Sequence, residues 1–274
     1  MAESGRLASC FAAARARKRP AFVAYITAGD PSLAATVEIV AALERAGVDI
    51  VELGVPFSDP VIDGPIIQAA SGRALAAGTT LAGTFEAARA IRRHSQLPLV
   101  LYSYLNPLLS FGIDEAAAAA CDAGIDGMLT VDLPVGAAPE VTRRYRDHGL
   151  DPIFLVTPTT SPARRALVAE QARGFIYLVS LRGVTGVQDA AAEAIAPMVA
   201  DVRRLTDVPI AVGVGIKRPD QVAAIGRVAD AVVVGSALVA VVGEHATGGG
   251  GGNDLAAAVE RAAAALVAAL PGRA

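Results

Sequence analysis

Hydrophobic spacing along the chain alternates between two periods. Short apolar runs rich in Val, Ile and Leu predict β-strands at residues 21–26, 49–55, 97–102, 127–131, 152–156, 175–179, 209–212 and 231–234. Between them, stretches of helical period predict helices at 31–46, 66–77, 84–93, 114–123, 138–148, 162–173, 190–205 and 220–228. A further helix, 5–17, precedes the first strand with Leu7, Phe11 and Ala14 on one face, and another, 254–270, closes the chain. Gly47 stands where a C′ glycine ends a helix, and Ala-Gly-(Val/Ile)-Asp recurs at 46–49 and 123–126, each time just before a strand. Strand 49–55 is apolar on both faces, the mark of a parallel sheet covered on both sides. Eight strands alternating with helices predict an α/β fold, a (β/α)8 TIM barrel with an extra N-terminal helix, as a single domain over residues 1–274. A doubly wound open sheet is the second choice; it asks for a GxGxxG after an early strand, and the chain has none there. The glycine run 248–252 reads as a flexible surface loop before the last helix.

Composition narrows the function. The chain of 274 residues is 53% hydrophobic, yet no apolar run approaches the ~20 residues of a membrane span, and much of the hydrophobicity is alanine on helices. A membrane role is therefore not expected. Net charge is −3, and the basic clusters at 15–19, 92–93 and 143–144 read as solvated helix ends, which argues against nucleic acid. Cys10 and Cys121 lie far apart without a CxxC, as expected of free thiols in a reducing compartment. The first residues lack a signal-peptide pattern, so a cytoplasmic location is expected. His94, His148 and His245 have no ligand spacing, so no metal site is expected.

In a barrel, chemistry collects where the strands end. The strand at 49–55 carries one carboxyl, Glu52, among apolar neighbours, and the loop after it carries Asp59 and Asp63. Burial raises a carboxyl pKa, and a carboxyl near the working pH suits general acid–base chemistry. The alternative is a structural Glu paired with a buried Arg. Gly213-Val-Gly215 after the seventh strand and Gly235-Ser236 after the eighth fit a phosphate site, because glycine lets an anion reach backbone N–H groups. Gly183-Val-Thr-Gly186 suits a lid over substrate. Lys217, just past the seventh strand, leaves a Schiff-base aldolase open on spacing, although Lys-Arg-Pro-Asp reads better as a solvated loop.

These residues resemble the tryptophan synthase alpha chain family over nearly the whole chain. The most specific stretch is Glu52-Leu-Gly-Val-Pro-Phe-Ser-Asp59-Pro-Val-Ile-Asp63-Gly-Pro. Thr27-Ala-Gly-Asp-Pro31, Tyr104-Leu-Asn106-Pro107, Val131-Asp-Leu-Pro134, Gly183-Val-Thr-Gly186 and Val234-Gly-Ser236 support it. The resemblance implies a (β/α)8 lyase that splits indole-3-glycerol phosphate into indole and glyceraldehyde 3-phosphate with no cofactor or metal of its own. It also implies transfer of indole to a β chain holding pyridoxal phosphate, in an αββα complex.

On this resemblance Glu52 shuttles protons at indole carbon 3 and the glycerol hydroxyl, while Asp63 stays ionised and accepts the indole N–H. Tyr25, Tyr102, Tyr104, Tyr177 and Thr185 are expected around the substrate, with Gly186, Gly215, Gly235 and Ser236 at the phosphate. Pro56, Asp59 and Asn106 are expected at the β-chain interface. Departures from the family pattern are Val214, where an aromatic residue is common, Tyr102 in place of Leu, Ile62 before Asp63, Lys217 and the glycine insert. Competing readings are a stand-alone lyase that releases free indole, a sugar-phosphate isomerase, which would want acid–base residues on strands one and five where no carboxylate stands, and a mainly regulatory partner of a β chain.

Overall fold

A computed structural model of the chain describes residues 5–179, 188–213, 215–247 and 252–272. Its elements run α1 (Arg6–Ala16), β1 (Ala21–Thr27), α2 (Leu33–Arg45), β2 (Ile50–Gly54), α3 (Pro65–Ala76), α4 (Leu81–Arg92), β3 (Leu99–Ser103), α5 (Leu105–Phe111), α6 (Ile113–Asp122) and β4 (Gly127–Thr130). They continue with α7 (Pro139–Asp147), β5 (Asp151–Val156), α8 (Pro162–Gln171), β6 (Ile176–Val179), α9 (Gln188–Arg203), β7 (Ile210–Gly213), α10 (Pro219–Gly226), β8 (Ala231–Val234), α11 (Ser236–Thr247) and α12 (Gly252–Val267). The strands pair in sequence order, all parallel, and β8 closes on β1. The barrel and its N-terminal helix are both as the spacing predicts.

Strand alternation sorts each side chain to one of two cores. On β1, Phe22, Ala24 and Ile26 face the helices while Ala21, Val23 and Tyr25 face the barrel axis. On β2, Val51 and Leu53 pack outward and Ile50 packs inward, so Glu52 is on the inward set. In register, Tyr25 lies beside Glu52, and Gly54 beside Tyr102. The lower barrel is filled by small and branched residues and closed from below by Leu7, Phe11 and Ala14 of α1. With the bottom plugged, the barrel's cavity opens at the C-terminal ends of the strands.

Three aspartates brace that lower end. Asp49, Asp126 and Asp230 each immediately precede an even-numbered strand, and each accepts a backbone N–H of the strand before it: Phe22, Leu99 and Ile210 respectively, at 2.8, 2.8 and 3.0 Å. Each is also ion-paired, to Arg19, Arg92 and Arg203. The basic residues of two clusters are thus not simply solvated, as the sequence suggested: Arg19 and Arg92 hold the barrel floor, and the Arg92 side chain is only 11% exposed. The recurring Asp of the Ala-Gly-(Val/Ile)-Asp unit is what they hold.

Two helices escape the hydrophobic pattern. α5 is two turns long with Pro107 inside it, and α11 begins directly at Ser236, where the glycine pair had suggested only a phosphate loop.

Candidate active site

A cavity of about 400 Å³ opens at the C-terminal ends of the strands, and Glu52, Asp63, Tyr25, Tyr102 and Tyr177 all line it. Glu52 comes from the middle of β2 and is 1% exposed. Among the described residues neither of its carboxyl oxygens has a hydrogen-bond partner, so the buried-arginine alternative does not hold. Burial without a counter-charge favours the neutral acid and pushes the Glu52 pKa up to about 8.

Asp63 sits in the loop between β2 and α3. Its two oxygens accept hydrogen bonds from two phenols, Tyr102 Oη at 2.8 Å and Tyr104 Oη at 3.1 Å. Burial raises its pKa, while the two phenol bonds act in the opposite direction by stabilising the anion. The two carboxyls thus differ in kind: one is bare and apolar, the other is solvated by hydroxyl groups.

Glycines make room for the tyrosines. A Cβ on Gly54 would overlap the Tyr25 hydroxyl, and one on Gly213 would overlap that of Tyr177. Gly213 therefore has a packing reason distinct from the phosphate contact suggested by the GxG. Gly235 lies against the Tyr25 ring, and Gly215 adopts φ +76°, a left-handed conformation that disfavours a side chain. Gly215, Gly235 and Ser236 all line the cavity, the last at the first turn of α11.

Thr185 and Gly186 lie outside the described residues, as do the whole of the expected lid, 183–186, and residues 248–251. Tyr104 does not line the cavity but reaches Asp63 from its flank and accepts the Ile62 amide at 3.0 Å. Asp59 and Asn106 are exposed, and Pro56 is buried. Lys217 is exposed, as its solvated-loop reading predicted, yet it also borders the cavity. Spacing missed Leu155 and Val179 in the cavity wall. Strand alternation carries the signal for both: Leu155 lies between the outward-packed Phe154 and Val156, and Val179 follows inward Tyr177 by two.

Sequence comparison agrees with this geometry. The profile of the tryptophan synthase alpha chain family matches residues 11–266. The chain belongs to that family. A tryptophan synthase alpha chain from Solibacter usitatus is 48% identical over 246 residues, covering 90% of this chain and 91% of the relative. One from Geobacter sulfurreducens is 50% identical over 234 residues, covering 85% and 89%. Among solved structures, the alpha chain from Legionella pneumophila superposes with a TM-score of 0.88 at 33% identity, over 97% of each chain. Tryptophan synthase from Mycobacterium tuberculosis gives 0.84 at 38% identity, over 96% of this chain and 99% of that one.

Proposed function

We propose that this tryptophan synthase alpha chain acts as a carbon–carbon lyase of tryptophan biosynthesis, cleaving indole-3-glycerol phosphate with Glu52 as the proton shuttle and Asp63 as the anion that meets the indole N–H. The observation that carries the reading is the contrast between the two carboxyls on one cavity: Glu52 buried without a hydrogen-bond partner among the described residues, Asp63 held by two phenols. Environments that drive two acids apart assign one as acid and the other as stabilising anion.

With its pKa near 8, Glu52 is largely protonated at neutral pH and gives its proton to carbon 3 of the ring. Positive charge then develops toward the ring nitrogen, and the Asp63 carboxylate accepts the N–H and stabilises it. The Glu52 carboxylate removes the proton of the adjacent glycerol hydroxyl. The carbon–carbon bond breaks, its electron pair returns to the ring as indole, and the hydroxyl carbon becomes the aldehyde of glyceraldehyde 3-phosphate. Glu52 ends protonated again, so no net proton is consumed. Tyr177, buried beside Glu52, and Tyr25 keep the reacting end dry. Gly215 and Gly235 offer backbone to the phosphate, with Ser236 at the positive end of α11.

Pyridoxal phosphate is assigned to the β chain, which takes up the indole. The exposed Asp59 and Asn106 belong to the surface for that partner, while Pro56 is buried at the start of the loop that carries Asp59 and would act by shaping it. The test is indole release from indole-3-glycerol phosphate by the purified chain, alone and with a β chain. Glu52→Gln and Asp63→Asn should each lower kcat by 10²-fold or more, as expected for loss of a proton-transfer group or a preorganised charge. Undiminished turnover in either variant would remove that residue from the mechanism.

A further inference from the structure

We propose that Tyr102 is a positioning residue: with Tyr104 it clamps Asp63 so that one fixed, ionised carboxylate faces the indole N–H. The proposal rests on the lyase reading above and adds a residue to it. The two phenols divide the carboxylate between them, Tyr102 on Oδ1 and Tyr104 on Oδ2. A carboxylate has about four lone-pair sites, so each oxygen keeps capacity for a further donor. Two donors therefore orient the group without saturating it.

The two phenols are not equivalent. Tyr104 Oη also accepts the Ile62 amide and so is tied to the loop backbone. Tyr102 Oη has, among the described residues, a hydrogen bond to Asp63 only. Its ring is set edge-on against Tyr25, centroids 5.0 Å apart at 72°. Tyr25 in turn fills space left by the missing side chains of Gly54 and Gly235. A phenylalanine would keep the ring against Tyr25, and among the described residues the hydroxyl's hydrogen bond goes to Asp63. The ionisable groups facing Asp63 are Tyr25 from β1, Glu52 from β2, Tyr102 from β3, Tyr104 at the start of α5 and Tyr177 from β6, with Lys217 on the same cavity. Among the described residues, the two phenols are what favours the Asp63 anion against its burial.

The experiment compares wild type, Tyr102→Phe, Tyr102→Leu and Asp63→Asn in two readouts. The first is the pH profile of kcat/KM for indole release. The second, independent of turnover, is the ¹³C titration of the Asp63 carboxyl in labelled chain, with Asp63→Asn assigning the signal. Loss of one charge-assisted hydrogen bond should raise the acid limb and the carboxyl titration by about one pH unit in both Tyr102 variants. On the acid side kcat/KM then falls about tenfold, while the alkaline limb set by Glu52 stays in place. An unmoved acid limb and titration in folded Tyr102→Phe would overturn the proposal and leave Tyr102 as packing. Full turnover in Asp63→Asn would instead overturn the lyase role of Asp63, and the titration would still decide whether the clamp exists.

Discussion

Glu52 is placed where function and stability pull in opposite directions. Its pKa rises from 4.5 to about 8 because burial penalises the anion and nothing compensates it. In the unfolded chain the carboxyl ionises above 4.5, while in the folded chain it keeps its proton until about 8. Between those values the folded state binds more protons, so stability falls as pH rises through the window. At ~1.4 kcal/mol per unit, the loss across it is on the order of a few kcal/mol. Glu52→Gln cannot ionise and should lack this slope. Denaturation at pH 5, 6.5 and 8 should show the variant gaining on wild type with rising pH, although it is inactive. Parallel stability curves would mean that Glu52 is not held neutral. The glutamate itself was legible in the sequence, as a lone carboxyl in a strand apolar on both faces. Its lack of a hydrogen-bond partner among the described residues was not, because that depends on what the other seven strands direct at it. The Tyr102–Asp63 bond was hidden for the same reason: it spans 39 residues and joins two different strand ends.

At the scale of elements, periodicity worked where the local pattern and the tertiary environment agree. All eight strands are covered on both faces and read as plain apolar runs. It failed at α5 and α11, which lean on neighbours more than on their own amphipathicity. α5 is short and contains Pro107; it is held by Leu108 in the core and by the Asp132 carboxylate, which accepts the Leu105 amide at 2.8 Å. α11 packs on α3, α12 and β1, and the hydrophobic spacing predicts no element between the last strand, 231–234, and the glycine run. The aspartates of the barrel floor are a repeated device that only the register reveals. Asp126 holds the Leu99 amide, Arg92 and Arg6 together. Asp126→Ala leaves the largely buried Arg92 without its carboxylate and the Leu99 amide without that acceptor. It should cost about 3–5 kcal/mol in chemical denaturation, with the pH profile of indole release unchanged because the floor lies at the opposite end from the cavity. A shifted profile would mean that strain at the floor reaches the site.

For the whole molecule, the exposed apolar surface is unevenly spread. Among the described residues, four of the seven large apolar side chains that remain exposed, Val61, Ile62, Leu109 and Phe111, come from the loop after β2 and from α5. These two segments meet at Tyr104, which stacks near Phe57, accepts the Ile62 amide and holds Asp63. Asp59 lies in the same loop and Asn106 on the same helix, and exposed apolar residues gathered on adjoining segments mark an interaction site more than scattered ones do. A β chain seated there would press on the same loop that carries Asp63, which gives partner binding a physical route to the rate. Val61 is 84% exposed, so Val61→Glu should leave the fold and the solitary turnover within about twofold of wild type, as surface changes do. A charge buried in the contact should weaken β-chain binding by roughly tenfold or more and abolish the partner's acceleration at limiting concentrations. Titrating the β chain against indole release separates the two effects. Recovery of full acceleration at high β chain would place Val61 in affinity alone, whereas unchanged affinity and acceleration would move the docking surface elsewhere on the barrel.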